Sequence, residues 1–265
     1  MRVTAALSWW NEDPAVLEAC VRSAAGVADR IIAIDGAYAR YPGATITSSA
    51  EQAEAIRSAG LPCEIIVPDR LWRGQCEKRT ALMQRAAEGS DWVLVLDADW
   101  VLHANGDGVR DELARSVSDV FEVPFVNPPN PQSSLAPSRW HQDQLARSES
   151  HPVLYRALPG FQVERLHYYV SAMKGAERIW LQSDGPQDYA DPPTPHSGTS
   201  YRTAVRALLT SECWIEHRWA WRSDDAKLRE REYENDRWKV FHLTGQEDDQ
   251  EGLPAPDYDS EEFPV

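Results

Sequence analysis

The run W-V-L-V-L-D-A-D-W at residues 92–100 carries an apolar stretch straight into two carboxylates, Asp97 and Asp99. In extended backbone, side chains two apart project the same way, so the spacing predicts Asp97 and Asp99 on one side and Ala98 on the other. Two hard oxygen donors on one side suit Mg²⁺ or Mn²⁺, which take few protein carboxylates and fill their shell with phosphate oxygens and water. Such a pair serves the departure of a diphosphate, because a bridging cation neutralises the charge that grows as the leaving-group bond breaks. The bland alternative for D-x-D at a strand end is a solvated turn or a helix cap. A further acid, Asp35, ends the apolar run R-I-I-A-I-D at residues 30–35. In open α/β sheets ligands bind beyond the carboxyl ends of the strands, so Asp35 and Asp97 are expected at one crevice.

The elements that must hold these acids alternate along the chain. Residues 3–8 read as a strand; Asp13 then caps a helix with Pro14 at its first position and an apolar stripe of Val16, Leu17, Cys20, Val21 and Ala24. Residues 30–35 follow as a strand, Ser48 with Glu51 as a capping box for a helix ending near Gly60, and residues 63–67 as a strand. Residues 75–87 read as a helix and 92–97 as the fourth strand. Strands apolar on both faces, alternating with helices, predict an α/β fold with a mostly parallel central sheet flanked by helices.

Past Asp99 the order changes. A helix is expected over 107–117, strands over 119–125, 153–157, 161–170, 178–181 and 214–217, and helices over 201–209 and 223–238. Loops rich in Pro, Ser and Gln fill 127–150 and 183–200, and two long loops in one domain mark a binding surface or a lid. One domain over 1–244 is expected, followed by a disordered acidic tail at 245–265.

That tail holds eight acids and no Lys or Arg; removing it from the net charge of −15 leaves about −7 on the body. A body so acidic repels a polyphosphate backbone, which argues against nucleic acid as a partner. The four cysteines form no C-x-x-C pair and read as reduced thiols, placing the chain in a cytoplasm. The apolar stretch near the N-terminus is too short for a signal h-region, and no run approaches the length of a membrane span. Eleven tryptophans is high for this length; most are expected in the core or at its rim, with some available to floor a ligand cleft.

Four blocks, S-W-W-N-E-D-P-A-V-L-E-A-C-V-R-S-A, R-I-I-A-I-D-G-A-Y, Q-C-E-K-R-T-A-L-M-Q-R-A and D-W-V-L-V-L-D-A-D-W, occur in that order within residues 1–102. In order and spacing they resemble the nucleotide-binding half of family-2-like glycosyltransferases with the GT-A fold. The resemblance implies a nucleotide-diphosphosugar donor, a nucleotide-binding half over 1–102 and an irregular acceptor half over 103–244. It places Asn11 and Glu12 beside the nucleoside, Asp35 on the base and Lys78 near the diphosphate, with Asp97 and Asp99 as the ribose and metal carboxylates. The chain departs from the family at Gly36, Ala37 and Tyr38, where D-D-G-S is frequent, and at Thr80, where Asn is frequent. The E-D pair and Q-x-x-R-W block of many processive members are not found, which argues against a polysaccharide synthase.

In the second half, I-E-H-R-W-A-W-R resembles the segment where related transferases place a histidine that completes the metal shell. This makes His217 a third ligand for Mn²⁺ or Mg²⁺, and Arg218 and Arg222 contacts to the diphosphate. The competing reading of His217 is a half-buried histidine on an edge strand. V-L-Y-R-A-L-P-G-F-Q-V-E-R-L-H-Y-Y resembles an acceptor-side segment and brings in Arg156 and His167. An inverting transfer needs a group to take the acceptor proton. Asp188 and His167 are the candidates, with Asp184 and Glu164 behind them; a retaining transfer needs no such base.

Two other classes compete. D-A-D-W-V also fits the D-x-D-x-T/V motif of haloacid-dehalogenase-like phosphatases, although their downstream acidic pair is not found. A non-catalytic transferase-like domain, binding a ligand through its tryptophan-rich second half, is the other.

Overall fold

Alternate residues of the first strand, β1 (Val3–Ser8), serve opposite faces: Val3, Ala5 and Leu7 pack into one apolar cluster and Ala6 into another. Such a strand needs cover on both sides, and the next elements supply it. In this computed structural model the described residues are 1–126, 150–164, 169–183, 201–218 and Leu228, Arg229 and Tyr233. Helix α1 (Pro14–Ser23) starts at Asp13, whose carboxylate accepts the Ala15 N–H at 2.7 Å, and buries Leu17, Cys20 and Val21. Strand β2 (Arg30–Ile34), helix α2 (Ala50–Arg57), strand β3 (Cys63–Ile66), helix α3 (Gln75–Ala87) and strand β4 (Trp92–Asp97) follow in the expected alternation.

Strands β3, β2, β1 and β4 lie side by side in that order, all parallel. The register sets Ser8 opposite both Ile34 and Asp97, so the carboxyl ends of β1, β2 and β4 form one level rim. Helices α1 and α2, with α4 (Gly106–Arg115), cover one face through Leu17, Cys20, Ile56, Val109 and Leu113. Helix α3 covers the other through Leu82, Met83 and Ala86. Among the described residues no helix is long and apolar enough to cross a membrane.

The large sheet then continues with mixed direction. Strand β7 (Ser150–Arg156) adds antiparallel to β4, and β6 (Val120–Val126) pairs antiparallel with β7. Strand β13 (Cys213–His217) pairs parallel with β6 and antiparallel with β5 (Trp100–Ala104). The chain is therefore mixed α/β, with a large, mostly parallel sheet flanked by helices.

Several local expectations are corrected. The segment expected as a helix over 201–209 forms two short strands, β11 (Tyr201–Thr203) and β12 (Arg206–Leu208), because pairing to existing sheets outweighs a weak helical pattern. The strand expected over 161–170 is two strands, β8 (Gln162–Glu164) and β9 (Tyr169–Lys174), paired antiparallel. With β10 (Glu177–Ser183) and β11 they form a separate four-stranded sheet, whose Val163, Val170, Ala172, Ile179 and Leu181 pack on the α3 side of the core. Helix α2 is capped by Ser49, which accepts the Gln52 N–H, rather than by Ser48. The helix expected over 223–238, the loops over 127–150 and 183–200 and the tail over 245–265 lie largely or wholly outside the described residues, with Ser150 opening strand β7 and Ser183 closing strand β10.

Asp119, at the foot of β6, ties the two sheets together. Its carboxylate accepts the Lys174 ammonium of β9 at 2.7 and 2.9 Å and the Val205 N–H at 3.1 Å, while its own N–H donates to the Val205 carbonyl at 2.7 Å. Removing a buried carboxylate strands the groups it satisfied. Asp119→Ala is expected to lower the unfolding free energy by about 2–3 kcal/mol, read from urea titration against wild type.

Candidate functional site

The rim at the carboxyl ends of β1, β2 and β4 gathers most of the acids singled out above. Adjacent strands lie about 4.8 Å apart, so Asp35, just past β2, and Asp97, at the end of β4, stand roughly 10 Å apart across β1.

Asp35 is buried, and its carboxylate organises the loop that follows it. Oδ1 accepts the Gly36 N–H at 2.7 Å and the Ser48 hydroxyl at 2.5 Å, while Oδ2 accepts the Ser48 N–H at 2.7 Å. Ser48, expected to cap a helix, instead closes this loop and accepts the Asn11 N–H at 3.1 Å. Gly36 takes φ +98°, and a Cβ there would meet the Ile46 carbonyl at 2.6 Å and Pro68 at 2.7 Å. Glycine at position 36 thus lets the loop fold over β2. Asn11 is the only non-glycine with positive φ among the described residues, at 49°.

Lys78 lies fully buried beneath this loop. Its amine donates to the Trp9 and Gly36 carbonyls, each at 2.7 Å, and faces the Tyr38 ring at 5.4 Å. Lys78 therefore clamps the ends of β1 and β2 to each other. Burial lowers its pKa to about 7, against the opposing pull of Asp35, Asp97 and Glu12. Glu12 also acts on the Cys20 thiol, so its charge is felt inside the crevice.

Arg79, one residue on, was not among the sequence candidates, yet it reaches the acid pair. Its Nη2 donates to both oxygens of Asp97, at 2.7 and 2.9 Å. The available signal was the K-R dipeptide: consecutive helix residues point about 100° apart, so Lys78 turning into the core sends Arg79 elsewhere.

Asp97 and Asp99 do not share one extended strand. Ala98 and Asp99 form a turn, after which the chain leaves as β5 to pair with β13. Asp99 is buried by that turn rather than projecting into solvent. The β5–β13 ladder sets His217 opposite Trp100, which returns the imidazole to the turn: His217 Nε2 lies 3.4 Å from Asp99 Oδ2. The Arg218 N–H donates to the Asp99 carbonyl at 2.7 Å, and its Nε donates to Glu216 at 2.7 Å. Trp100 and Phe125 stand edge-on to the His217 ring at 6.3 and 6.4 Å. Below the turn, Cys20 donates its thiol to the Asp97 carbonyl at 3.3 Å. Burial, then Asp99 and Asp97, pushes that thiol far above its ordinary range, so it is neutral packing rather than a nucleophile.

The structure thus brings Asn11, Glu12, Asp35, Lys78, Asp97, Asp99 and His217 to the carboxyl end of the sheet, whereas Arg218 reaches it through its backbone N–H and turns its guanidinium to Glu216, on the face of β13 away from His217. Arg156 is elsewhere. It pairs with Trp92 at the start of β4, stacks 4.5 Å over that ring and donates to the Ser116 and Ser118 carbonyls. Five residues of β4 separate it from Asp97, a span of about 16 Å, so its expected substrate contact is corrected to a structural one. His167, Asp184, Asp188 and Arg222 lie outside the described residues.

Among the described residues no three His, Cys, Asp or Glu side chains are grouped as a ready-made cation cage. A two-residue donor set is present. An oxygen and an imidazole nitrogen 3.4 Å apart can both reach one Mg²⁺ or Mn²⁺ at about 2.1 Å, leaving the remaining positions to water and phosphate oxygens. Asp97, the next carboxylate on the rim, has both oxygens engaged by Arg79.

Lys78 generates a pH dependence. Its folded pKa of about 7 lies below the unfolded value of about 10.4, so the unfolded chain binds more protons between them. Stability is therefore expected to rise with pH across that window, by up to about 1.4 kcal/mol per unit, with the burial penalty complete below pH 7. Urea titrations of wild type and Lys78→Met from pH 7 to 10 check this, the variant giving the flatter curve. Comparison with models of known protein families and with characterised proteins finds no match for this chain.

Proposed function

We propose that this chain is a cation-assisted glycosyltransferase of GT-A type, which moves a sugar from a nucleotide-diphosphosugar donor to an acceptor. The observation that carries the proposal is the convergence on Asp99: a turn at the carboxyl rim of a parallel sheet, met by His217 from a distant strand at 3.4 Å. A solvated turn has no need of a histidine delivered from more than a hundred residues away.

Each residue then has a role set by its position. Asn11 and the Asp35-organised loop, lying over β1 and β2, border the nucleoside. Asp97, at the β4 end of the rim, suits the ribose or the diphosphate side and, once released by Arg79, the Mn²⁺ or Mg²⁺ that Asp99 and His217 would hold. The cation's contribution, when bound, is to neutralise the diphosphate as it leaves. Arg218 holds the Asp99 carbonyl through its backbone N–H, and its guanidinium would reach anionic oxygens only by leaving Glu216. Lys78 acts by shaping the rim, since its amine is spent on backbone carbonyls. The proton acceptor is drawn from Asp188 or His167 as the sequence suggests.

The phosphatase alternative asks Asp97 to be a nucleophile. A carboxylate held by Arg79 at 2.7 and 2.9 Å is a weakened nucleophile, which disfavours it.

Thermal shift with a panel of nucleoside diphosphates and sugar nucleotides, with and without Mn²⁺, tests the proposal. A nucleotide bound at a hundredfold excess over Kd stabilises by about 2.7 kcal/mol, which raises Tm by roughly 5–10 °C for a chain of this size. The Mn²⁺-dependent part is expected to vanish in Asp99→Asn, which keeps the shape of the side chain but weakens cation ligation. No shift for any nucleotide in folded wild-type protein would refute the donor assignment.

A further inference from the structure

Two features of Arg79 bear on what it can bind. Its guanidinium meets Asp97 through a single nitrogen, Nη2, which touches both carboxylate oxygens. Its Nε is buried and has no acceptor among the described residues. A guanidinium carries five N–H groups in one plane, and pairing through Nη2 alone leaves the Nε edge for a second acceptor. A buried N–H without a partner costs about 1–3 kcal/mol, and a bound water, an ion or a functional role is what such a group calls for.

The neighbours narrow what that ligand oxygen belongs to. Lys78 directs its amine to the Trp9 and Gly36 carbonyls, beneath the loop. Arg79 instead stands at the Asp97 end of the rim, with its side chain 16% exposed and that of Asp97 29% exposed. A guanidinium there is matched to phosphate oxygens, which accept from its planar edge. It also stands in for a cation: while Arg79 is in place, Asp97 is already neutralised.

We propose that Arg79 is the exchange residue of this crevice: without a divalent cation it holds Asp97, and when a cation takes that carboxylate its guanidinium passes to a diphosphate oxygen of the ligand. This rests on the reading of the crevice as a cation and diphosphate site, and adds to it a residue and a coupling. A cation arriving alone must break the Arg79–Asp97 pair and leave a largely buried guanidinium without a counter-charge. A diphosphate arriving with it supplies the new partner. Each therefore raises the affinity for the other by the same factor, as linkage requires.

Calorimetric titration of the full chain with MnCl₂ alone, inorganic pyrophosphate alone and the preformed Mn²⁺–pyrophosphate complex tests this in wild type, Arg79→Gln and Arg79→Lys. Circular dichroism confirms that each variant is folded. In wild type, Mn²⁺ is expected to bind about tenfold or more tightly when pyrophosphate is present than when it is absent. Arg79→Gln, with Asp97 released, is expected to bind Mn²⁺ alone about tenfold more tightly than wild type and to lose the gain from pyrophosphate. Arg79→Lys keeps the charge but not the planar edge, so its affinity for Mn²⁺ alone stays near wild type while the gain from pyrophosphate shrinks; this variant decides the matter if Arg79→Gln does not fold. Affinities and coupling equal to wild type in a folded variant would overturn the exchange and leave the cation site standing. A folded wild type that binds neither Mn²⁺ nor pyrophosphate would overturn both.

Discussion

Strand β1 is hydrogen-bonded on both edges and packed on both faces, and its register with β2 and β4 decides where every acid of the crevice falls. With Ser8 opposite both Ile34 and Asp97, the residues just beyond the three strands share one rim. A slip of one residue would turn Val3, Ala5 and Leu7 into the cluster that Ala6 now serves, so the apolar pattern pins the register and the register pins the site. The carboxylates owe their common address to the packing of side chains on the far side of the backbone.

Holding acids at that rim creates an electrostatic problem, and α3 solves it with two consecutive basic residues in different ways. Lys78 turns inward, where burial makes its charge costly, and knots the ends of β1 and β2 through their carbonyls. Arg79 turns toward β4 and balances Asp97. Asp35 needs neither, because a loop folded by Gly36 presents two N–H groups and a hydroxyl to it. Three neighbouring charges are thus satisfied by three separate means, and only the Arg79–Asp97 pair has geometry that a ligand could exchange without dismantling the fold.

The second half of the chain reaches the same place by a longer route. After the turn at Asp99, β5 leaves the parallel strands and joins β13, and that antiparallel ladder carries His217 back to the turn it started from. The arrangement is self-consistent: Arg218 closes onto the Asp99 carbonyl, and Trp100 and Phe125 wall the imidazole. At the opposite end, Asp119 binds β9 and β12 to β6, so the second sheet is anchored away from the crevice.

The first hundred residues were legible because their elements follow from local period: α3 and β4 span the residues that apolar spacing and Gly or Asp punctuation indicate. The carboxyl-end rule then puts Asp35 and Asp97 on one rim from the sequence alone. The later strands were less legible, since β11 and β12 are three residues each and owe their form to the edges they join, and β5 is visible only once β13 is beside it. Composition and spacing by themselves determined an α/β chain with acids at strand ends, while His217 was indicated only by the likeness of its segment to that of related transferases. Tertiary structure alone decided that Asp99 meets His217, that Ser48 serves Asp35 rather than a helix, that Arg156 belongs to the far end of β4, and that Arg79 rather than Lys78 faces Asp97. Local pattern records which face of an element is apolar, whereas partners brought from distant segments depend on how the sheets close, and no short stretch of chain contains that information.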